Sequence, residues 1–85
     1  MNLSFTPQVW EDYQFWQKTD PKTLKRIHLL IQDILRSPQE GIGRPEPLKH
    51  NLSGYWSRRI TDEHRIVYKE FEPGITFVQM RYHYK

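Results

Sequence analysis

The feature that most constrains this chain is a change of hydrophobic period across one stretch rich in proline and glycine. Before that stretch, apolar residues recur at helical spacing. Val9, Tyr13 and Trp16 fall at i, i+4 and i+7 with Trp10 beside them, a stripe for a helix of about three turns. Thr6-Pro7 stands just ahead of it: a hydroxyl able to cap, then a ring suited to the first helical position, where an N–H has no helical partner. Asp20-Pro21 repeats the start signal. Leu24, Ile27, His28, Ile31, Ile34 and Leu35 then share a face, with Lys22, Lys25, Arg26 and Asp33 off it. The short linkage at Thr19-Asp20 makes the pair an antiparallel hairpin.

Ser37-Pro38 ends the second helix. Residues 38–47 hold three prolines and two glycines and are expected to be irregular throughout. Beyond them the period becomes two. Residues 55–60, 65–71 and 75–82 read as strands, and Leu3-Ser4-Phe5 as a short first one. Thr61-Asp62-Glu63 and Glu72-Pro73-Gly74 are short enough for hairpin turns. The expected order is β-α-α-β-β-β. That is an α+β fold, a helical hairpin on one face of a mainly antiparallel twisted sheet. At 85 residues the chain holds one domain, 1–85, with one core and no internal repeat.

Composition narrows the function classes. With no cysteine, neither a disulfide nor a Cys-type zinc site is available, which fits a reducing compartment and the cytoplasm. No apolar run approaches the ~20 residues of a membrane span, and the opening Met-Asn-Leu-Ser-Phe-Thr-Pro lacks the basic and apolar parts of a secretory signal. No membrane partner is expected. The net charge of +3 lies wholly in residues 44–85, with three of the four histidines, His50, His64 and His83. A basic excess interleaved with aromatics suggests a polyanionic partner. The same charge also suits a small soluble domain that binds nothing anionic.

Strand alternation sorts side chains by face. Arg65, Val67 and Lys69 share one side, Ile66 and Tyr68 the other. Gln79, Arg81 and His83 share one side, and Val78, Met80, Tyr82 and Tyr84 the other. If the apolar faces meet the helices, Arg65, Lys69, Arg81 and His83 lie on the open face, with Arg59 beside them. The irregular loop brings Glu46, Lys49 and His50 near. These types match the needs of RNA cleavage: a base for a 2′-hydroxyl, fixed cations for the phosphoryl oxygens, and an acid for the departing 5′-oxygen. Glu46 fits the base, Arg65 and Lys49 the clamp, His83 the acid. Arginine suits the clamp because its planar fork meets two phosphate oxygens. Neighbouring cations oppose a protonated imidazole, so an acid role for His83 requires the substrate phosphates to offset them.

Each element has a plainer reading: Glu46 as a solvated loop residue, the arginines as surface ion-pair partners, His83-Tyr84 as the end of an edge strand. His28 reads as a core or interface histidine, and His64, beside a turn, receives no role. Trp10, Trp16, Trp56 and Phe77 read as core, while Tyr55 or Tyr84 could stack on a base. No histidine pair has metal-ligand spacing, and no Gly-rich phosphate loop or serine-nucleophile motif is present, so no metal and no cofactor is expected. Spacing and composition alone reach only a small α+β domain with an anion site.

The run Gly43-Arg-Pro-Glu-Pro-Leu-Lys-His-Asn-Leu-Ser-Gly-Tyr-Trp-Ser-Arg-Arg-Ile-Thr-Asp-Glu-His-Arg-Ile-Val-Tyr68, the ending Arg81-Tyr-His-Tyr84, and Trp10-Glu-Asp-Tyr13 with Trp16-Gln17 closely resemble the YoeB toxins of the RelE-like superfamily. The resemblance spans nearly the whole chain with no departure at a functional position, and the added Lys85 after the usual terminal tyrosine is minor. It implies a microbial-ribonuclease-like fold. It also implies a ribosome-dependent endoribonuclease that cuts mRNA in the ribosomal A site and stops translation. Carried onto this sequence, Glu46 is the general base, Arg65 the phosphate stabiliser and His83 the general acid. Tyr84 orients substrate, Lys49 and Arg59 support the clamp, and His50 and Arg81 join the phosphate-binding set. The implied partners are a YefM-like antitoxin whose C-terminal segment folds onto the toxin, the ribosome with its mRNA, operator DNA reached through the antitoxin, and a second copy in a homodimer. Alternatives are a module that blocks ribosomes without cutting, or a degenerate toxin acting only as a corepressor.

Overall fold

The computed structural model describes residues 2–71 and 73–83. Strand β1 spans Asn2–Phe5, helix α1 Pro7–Thr19, helix α2 Pro21–Arg36, strand β2 Glu46–Pro47, strand β3 Trp56–Arg59, strand β4 Arg65–Phe71 and strand β5 Gly74–Gln79. A 3₁₀ turn at His50–Leu52 lies between β2 and β3. The start signals act as expected. The Thr6 side chain accepts from the Val9 N–H, and the Asp20 side chain from the Thr23 N–H, each ahead of a proline at the helix start. The Asp20 carboxyl lies below its usual range, chiefly because the Thr23 hydroxyl and N–H both donate to it.

The strands form one five-stranded sheet in the order β1-β5-β4-β3-β2. β1 pairs in parallel with β5, and the other neighbours are antiparallel. A parallel pair needs a long crossover, and the helical hairpin belongs to it: α1 packs on β5 and on α2. The core lies between the hairpin and one sheet face, with Ile27, Leu30 and Ile34 from α2 against Ile66, Tyr68 and Phe77 from the sheet, all fully buried.

Three expectations are corrected. The segment 38–47 is not irregular to its end: Glu46–Pro47 adds an edge strand to β3, where proline's missing N–H is tolerated. The last strand stops at Gln79 rather than Tyr82. Val67 pairs with Gln79 while its neighbour Tyr68 pairs with Phe77, so Val78 is one residue too many and forms a bulge. Strict alternation would put Phe77 on Gln79's face. The bulge resets the parity, so Phe77 and Met80 are both buried while Gln79 sits opposite Val67 on the other side. Third, Trp10 is 51% exposed rather than core, lying off the buried line and stacked on Tyr13 with rings 9° from parallel. His28 is exposed too, hydrogen-bonded through Nε2 to the Tyr13 hydroxyl at 2.7 Å. Among the described residues, no helix is long and apolar enough to cross a membrane.

Candidate active site

The site is assembled by one arginine that points away from it. On β3, alternation sends Ser57 and Arg59 to the open face and Arg58 into the interior. Arg58 is fully buried. Its Nη1 donates to Asp33 Oδ2 at 2.5 Å and to the Ile42 carbonyl at 3.1 Å. Nη2 donates to the carbonyls of Ser37 at 2.6 Å and Glu40 at 2.8 Å, and Nε to the Tyr68 hydroxyl at 3.1 Å. Asp33 also accepts from the Ile42 N–H at 2.9 Å and pairs with Arg36. The Ile42 N–H first, then the Arg58 guanidinium, hold the Asp33 carboxyl below its usual range. Burial pushes the Tyr68 phenol up, and its hydroxyl donates to the Pro38 carbonyl at 2.5 Å. A segment too rich in proline and glycine to pair with itself is thus organised from inside. Gly41 shows how tightly: at φ +125°, a Cβ there would lie 1.9 Å from Asp33 Oδ2.

The clamped loop leads into β2, whose register with β3 sets Glu46 opposite Ser57. Ser57 lies opposite Val67, and Val67 opposite Gln79, so these four residues form a row across the open face. Arg59 lies directly opposite Arg65. Arg44, Glu46, Ser57, Arg59, Arg65 and His83 line one cavity of about 130 Å³. A carboxylate, three guanidinium groups, a hydroxyl and an imidazole therefore face one small space. Arg65 is fixed at one end of its fork, where Nη1 donates to the carbonyls of Thr61 at 2.7 Å, Asp62 at 3.1 Å and His64 at 3.1 Å. Arg59 lies 3.6 Å from the Asp62 carboxylate. His83 also borders a neighbouring hollow of about 330 Å³ lined by Gln8, Asp12, Val78, Gln79, Arg81 and Tyr82.

The sequence-derived set divides. Glu46, Arg59, Arg65 and His83 come together. Lys49 and His50 are exposed at the 3₁₀ turn and do not line the cavity. Arg81 lies beyond the end of β5, its guanidinium carbon 3.5 Å from the centre of the Phe15 ring, and lines the neighbouring hollow instead. Lys69 lies over the Tyr55 ring at 5.4 Å. Tyr84 falls outside the described residues. Arg44 and Ser57 were missed. Arg44 stands two residues before Glu46 but outside the strand, with left-handed backbone, φ 54°, so strand alternation gives no signal for it. Ser57 had such a signal, standing two residues before Arg59 in β3. Among the described residues no group of His, Asp or Glu is arranged to hold a metal ion.

Comparison with known proteins places the chain in a family. The profile of the YoeB-like toxin of bacterial type II toxin–antitoxin systems matches residues 5–84. The chain is 56% identical over 84 residues to toxin YoeB of Streptomyces coelicolor, covering 99% of this chain and 100% of that one. It is 52% identical over 84 residues to toxin YoeB of Escherichia coli, with the same coverage. A solved YoeB/ParE toxin from Agrobacterium tumefaciens superposes with a TM-score of 0.95 at 46% identity, covering 99% of this chain and 100% of that one. Staphylococcus aureus YoeB, solved as a dimer, superposes with a TM-score of 0.92 at 47% identity, covering 99% and 98%, and has also been solved in a YoeB–YefM complex. By sequence and by fold, the chain belongs to the YoeB-like toxins of bacterial type II toxin–antitoxin systems.

Proposed function

We propose that this toxin is a ribosome-dependent endoribonuclease that cuts mRNA in the ribosomal A site and so stops translation. The observation that carries the reading is the cavity shared by Glu46, Arg59, Arg65 and His83. In the proposed step the Glu46 carboxylate takes the proton of a 2′-hydroxyl, whose oxygen attacks the adjacent phosphorus. Arg65 and Arg59, with Arg44, stabilise charge growing on the non-bridging oxygens. His83 donates a proton as the bond to the 5′-oxygen breaks, leaving a 2′,3′-cyclic phosphate and a free 5′-hydroxyl. Electrons and protons balance within these side chains, and the step calls on no metal or cofactor. Lys49, His50 and Arg81 lie outside the cavity and are assigned to flanking phosphates. Tyr84 is assigned to orienting the substrate.

The ribosome supplies a large anionic docking surface to a domain that by itself offers limited contact. A YefM-like antitoxin is the proposed neutralising partner, as in the S. aureus complex. An acidic segment that folds onto the toxin would complement the three arginines of the cavity and bear the ordering entropy on binding. Together the pair is proposed to repress its own operon, with the antitoxin contacting DNA. The exposed apolar side chains of Leu3 and Trp10 support a homodimer, as in S. aureus YoeB. The cytoplasm is the proposed compartment.

The test is a translation extract with mRNA whose 3′ ends are mapped, with and without ribosomes. Cutting should require ribosomes and persist in chelator at levels that leave them assembled. It should fall at least about a hundredfold in Arg65→Ala and His83→Ala with folding intact. Uncut mRNA on stalled ribosomes would overturn the nuclease reading and leave occupancy as the toxic act.

A further inference from the structure

His64 lies in the turn before β4 and outside the cavity, yet its ring is hydrogen-bonded to the segment that carries His83. β5 ends at Gln79, and the chain then turns away. Met80 is fastened to α1: its carbonyl accepts from Trp16 Nε1 at 2.8 Å, and its N–H donates to Asp12 Oδ2 at 3.2 Å. Two residues on, Tyr82 adopts left-handed backbone, φ 65°, which a bulky side chain takes only where its surroundings impose it. Both ends of Tyr82 are held. Its carbonyl accepts from the Arg65 N–H at 2.9 Å and from Gln79 Nε2 at 3.0 Å. Its N–H donates to His64 Nδ1 at 2.7 Å. The His64 ring is half-buried, set edge-on against Trp16 with centroids 4.9 Å apart. The next residue after this turn is His83, which lines the cavity with Glu46 and Arg65.

We propose that His64 is a positioning residue for cleavage: its unprotonated Nδ1 latches the Tyr82 N–H, sets the left-handed turn, and so delivers His83 to the cavity. The inference rests on the reading of His83 as the general acid. An acceptor at Nδ1 requires the ring proton on Nε2. Asparagine can offer an acceptor oxygen close to the same place, and leucine can fill the space but accepts nothing. Loss of one hydrogen bond changes stability modestly, whereas shifting a reacting group by about 1 Å can cost about a hundredfold in rate.

The experiment measures single-turnover cutting of ribosome-bound mRNA by His64→Leu and His64→Asn, each alone and combined with His83→Ala. Hydrogen exchange at the Tyr82 amide of the full chain is followed in parallel. His64→Leu should lower the maximal rate about 10- to 100-fold with half-saturating ribosome concentration nearly unchanged, and His64→Asn should recover most of it. In the His83→Ala background His64→Leu should add no further loss. The Tyr82 amide should exchange at least about tenfold faster in His64→Leu and return toward wild type in His64→Asn. A wild-type rate in His64→Leu, a loss that repeats in full without His83, or an unchanged Tyr82 amide would each overturn the latch. If His83→Ala itself cuts normally, the acid assignment falls, and the Tyr82 amide alone still decides whether His64 holds the turn.

Discussion

Arg58 and Arg59 are neighbours of identical chemistry, and their surroundings are opposite. Arg58 is 0% exposed, and a carboxylate, a phenol and three carbonyls accept from it. The Arg59 side chain is 40% exposed, 3.6 Å from one solvated carboxylate, and faces Arg65 across the strand pair. Strand parity alone separates them. A buried guanidinium persists only where its donors are met, so Arg58 reads as architecture. Two cations directly opposed on a sheet are unfavourable by themselves, so Arg59 and Arg65 read as a place prepared for an anion. On the proposed function, two adjacent arginines divide the work of shaping the loop and of meeting substrate.

The comparison breaks first on Arg58. Its replacement by alanine strands Asp33 and several loop carbonyls, and removing one member of a buried pair costs about 3–5 kcal/mol. Urea denaturation should show that loss, and any folded Arg58→Ala should cut poorly because the loop no longer holds Glu46. Gly41→Ala strikes the same clamp, since its Cβ would sit 1.9 Å from Asp33 Oδ2, and should lower the urea midpoint as well. Wild-type stability in Arg58→Ala would make the buried network ornamental.

Arg65→Ala should give the reverse profile. At least about a hundredfold of cutting should vanish, equivalent to about 2.7 kcal/mol of transition-state stabilisation. Its urea midpoint should stay near wild type, because Arg65 donates mainly to carbonyls of an open turn. A variant that lost stability and activity together would erase the distinction between the two arginines.

Much of the fold was legible because its signals are local. Thr6-Pro7 and Asp20-Pro21 state where helices begin, and the bounds Arg65–Phe71 follow from alternation. Several of the misses share one physical cause, contact between residues distant in sequence. Asp33 reads as off the apolar face of α2, yet it is 7% exposed because Arg58 reaches it from 25 residues away. The bulge at Val78 depends on burying both Phe77 and Met80, which strict alternation forbids. His64 has no helical or strand periodicity to mark it, and its partner Tyr82 is 18 residues on. For the site, Glu46, Arg59, Arg65 and His83 were named from residue type and face. Arg81 and His83 were both assigned to the open face by a strand drawn too long; His83 lines the cavity nonetheless, and Arg81 does not.

Acid should dissolve the interior half of the comparison while leaving the open half. The Asp33 carboxyl lies below its ordinary value of 3.8, so near that pH the folded chain binds fewer protons than the unfolded one. Its stabilising contribution is complete above the ordinary carboxylate range and is lost as pH falls through the lowered folded value. Urea midpoints of wild type and Asp33→Asn should therefore differ at neutral pH and converge in acid. Parallel curves down to about pH 2 would mean that ionisation of Asp33 is not what the clamp uses.

The smallest effects belong to the open pair. Arg59→Ala removes an exposed ion pair, worth little, and relieves the opposition with Arg65, so stability should stay within about 0.5 kcal/mol of wild type. Asp62→Asn removes the carboxylate 3.6 Å from Arg59 and should move stability no more. The two should part in salt. If Arg59 meets a phosphate, Arg59→Ala loses one counterion-releasing contact, and the log–log dependence of cutting on salt should flatten by about 0.7. Asp62→Asn keeps the contact and should keep the slope. Equal slopes in all three proteins would move Arg59 out of the phosphate clamp.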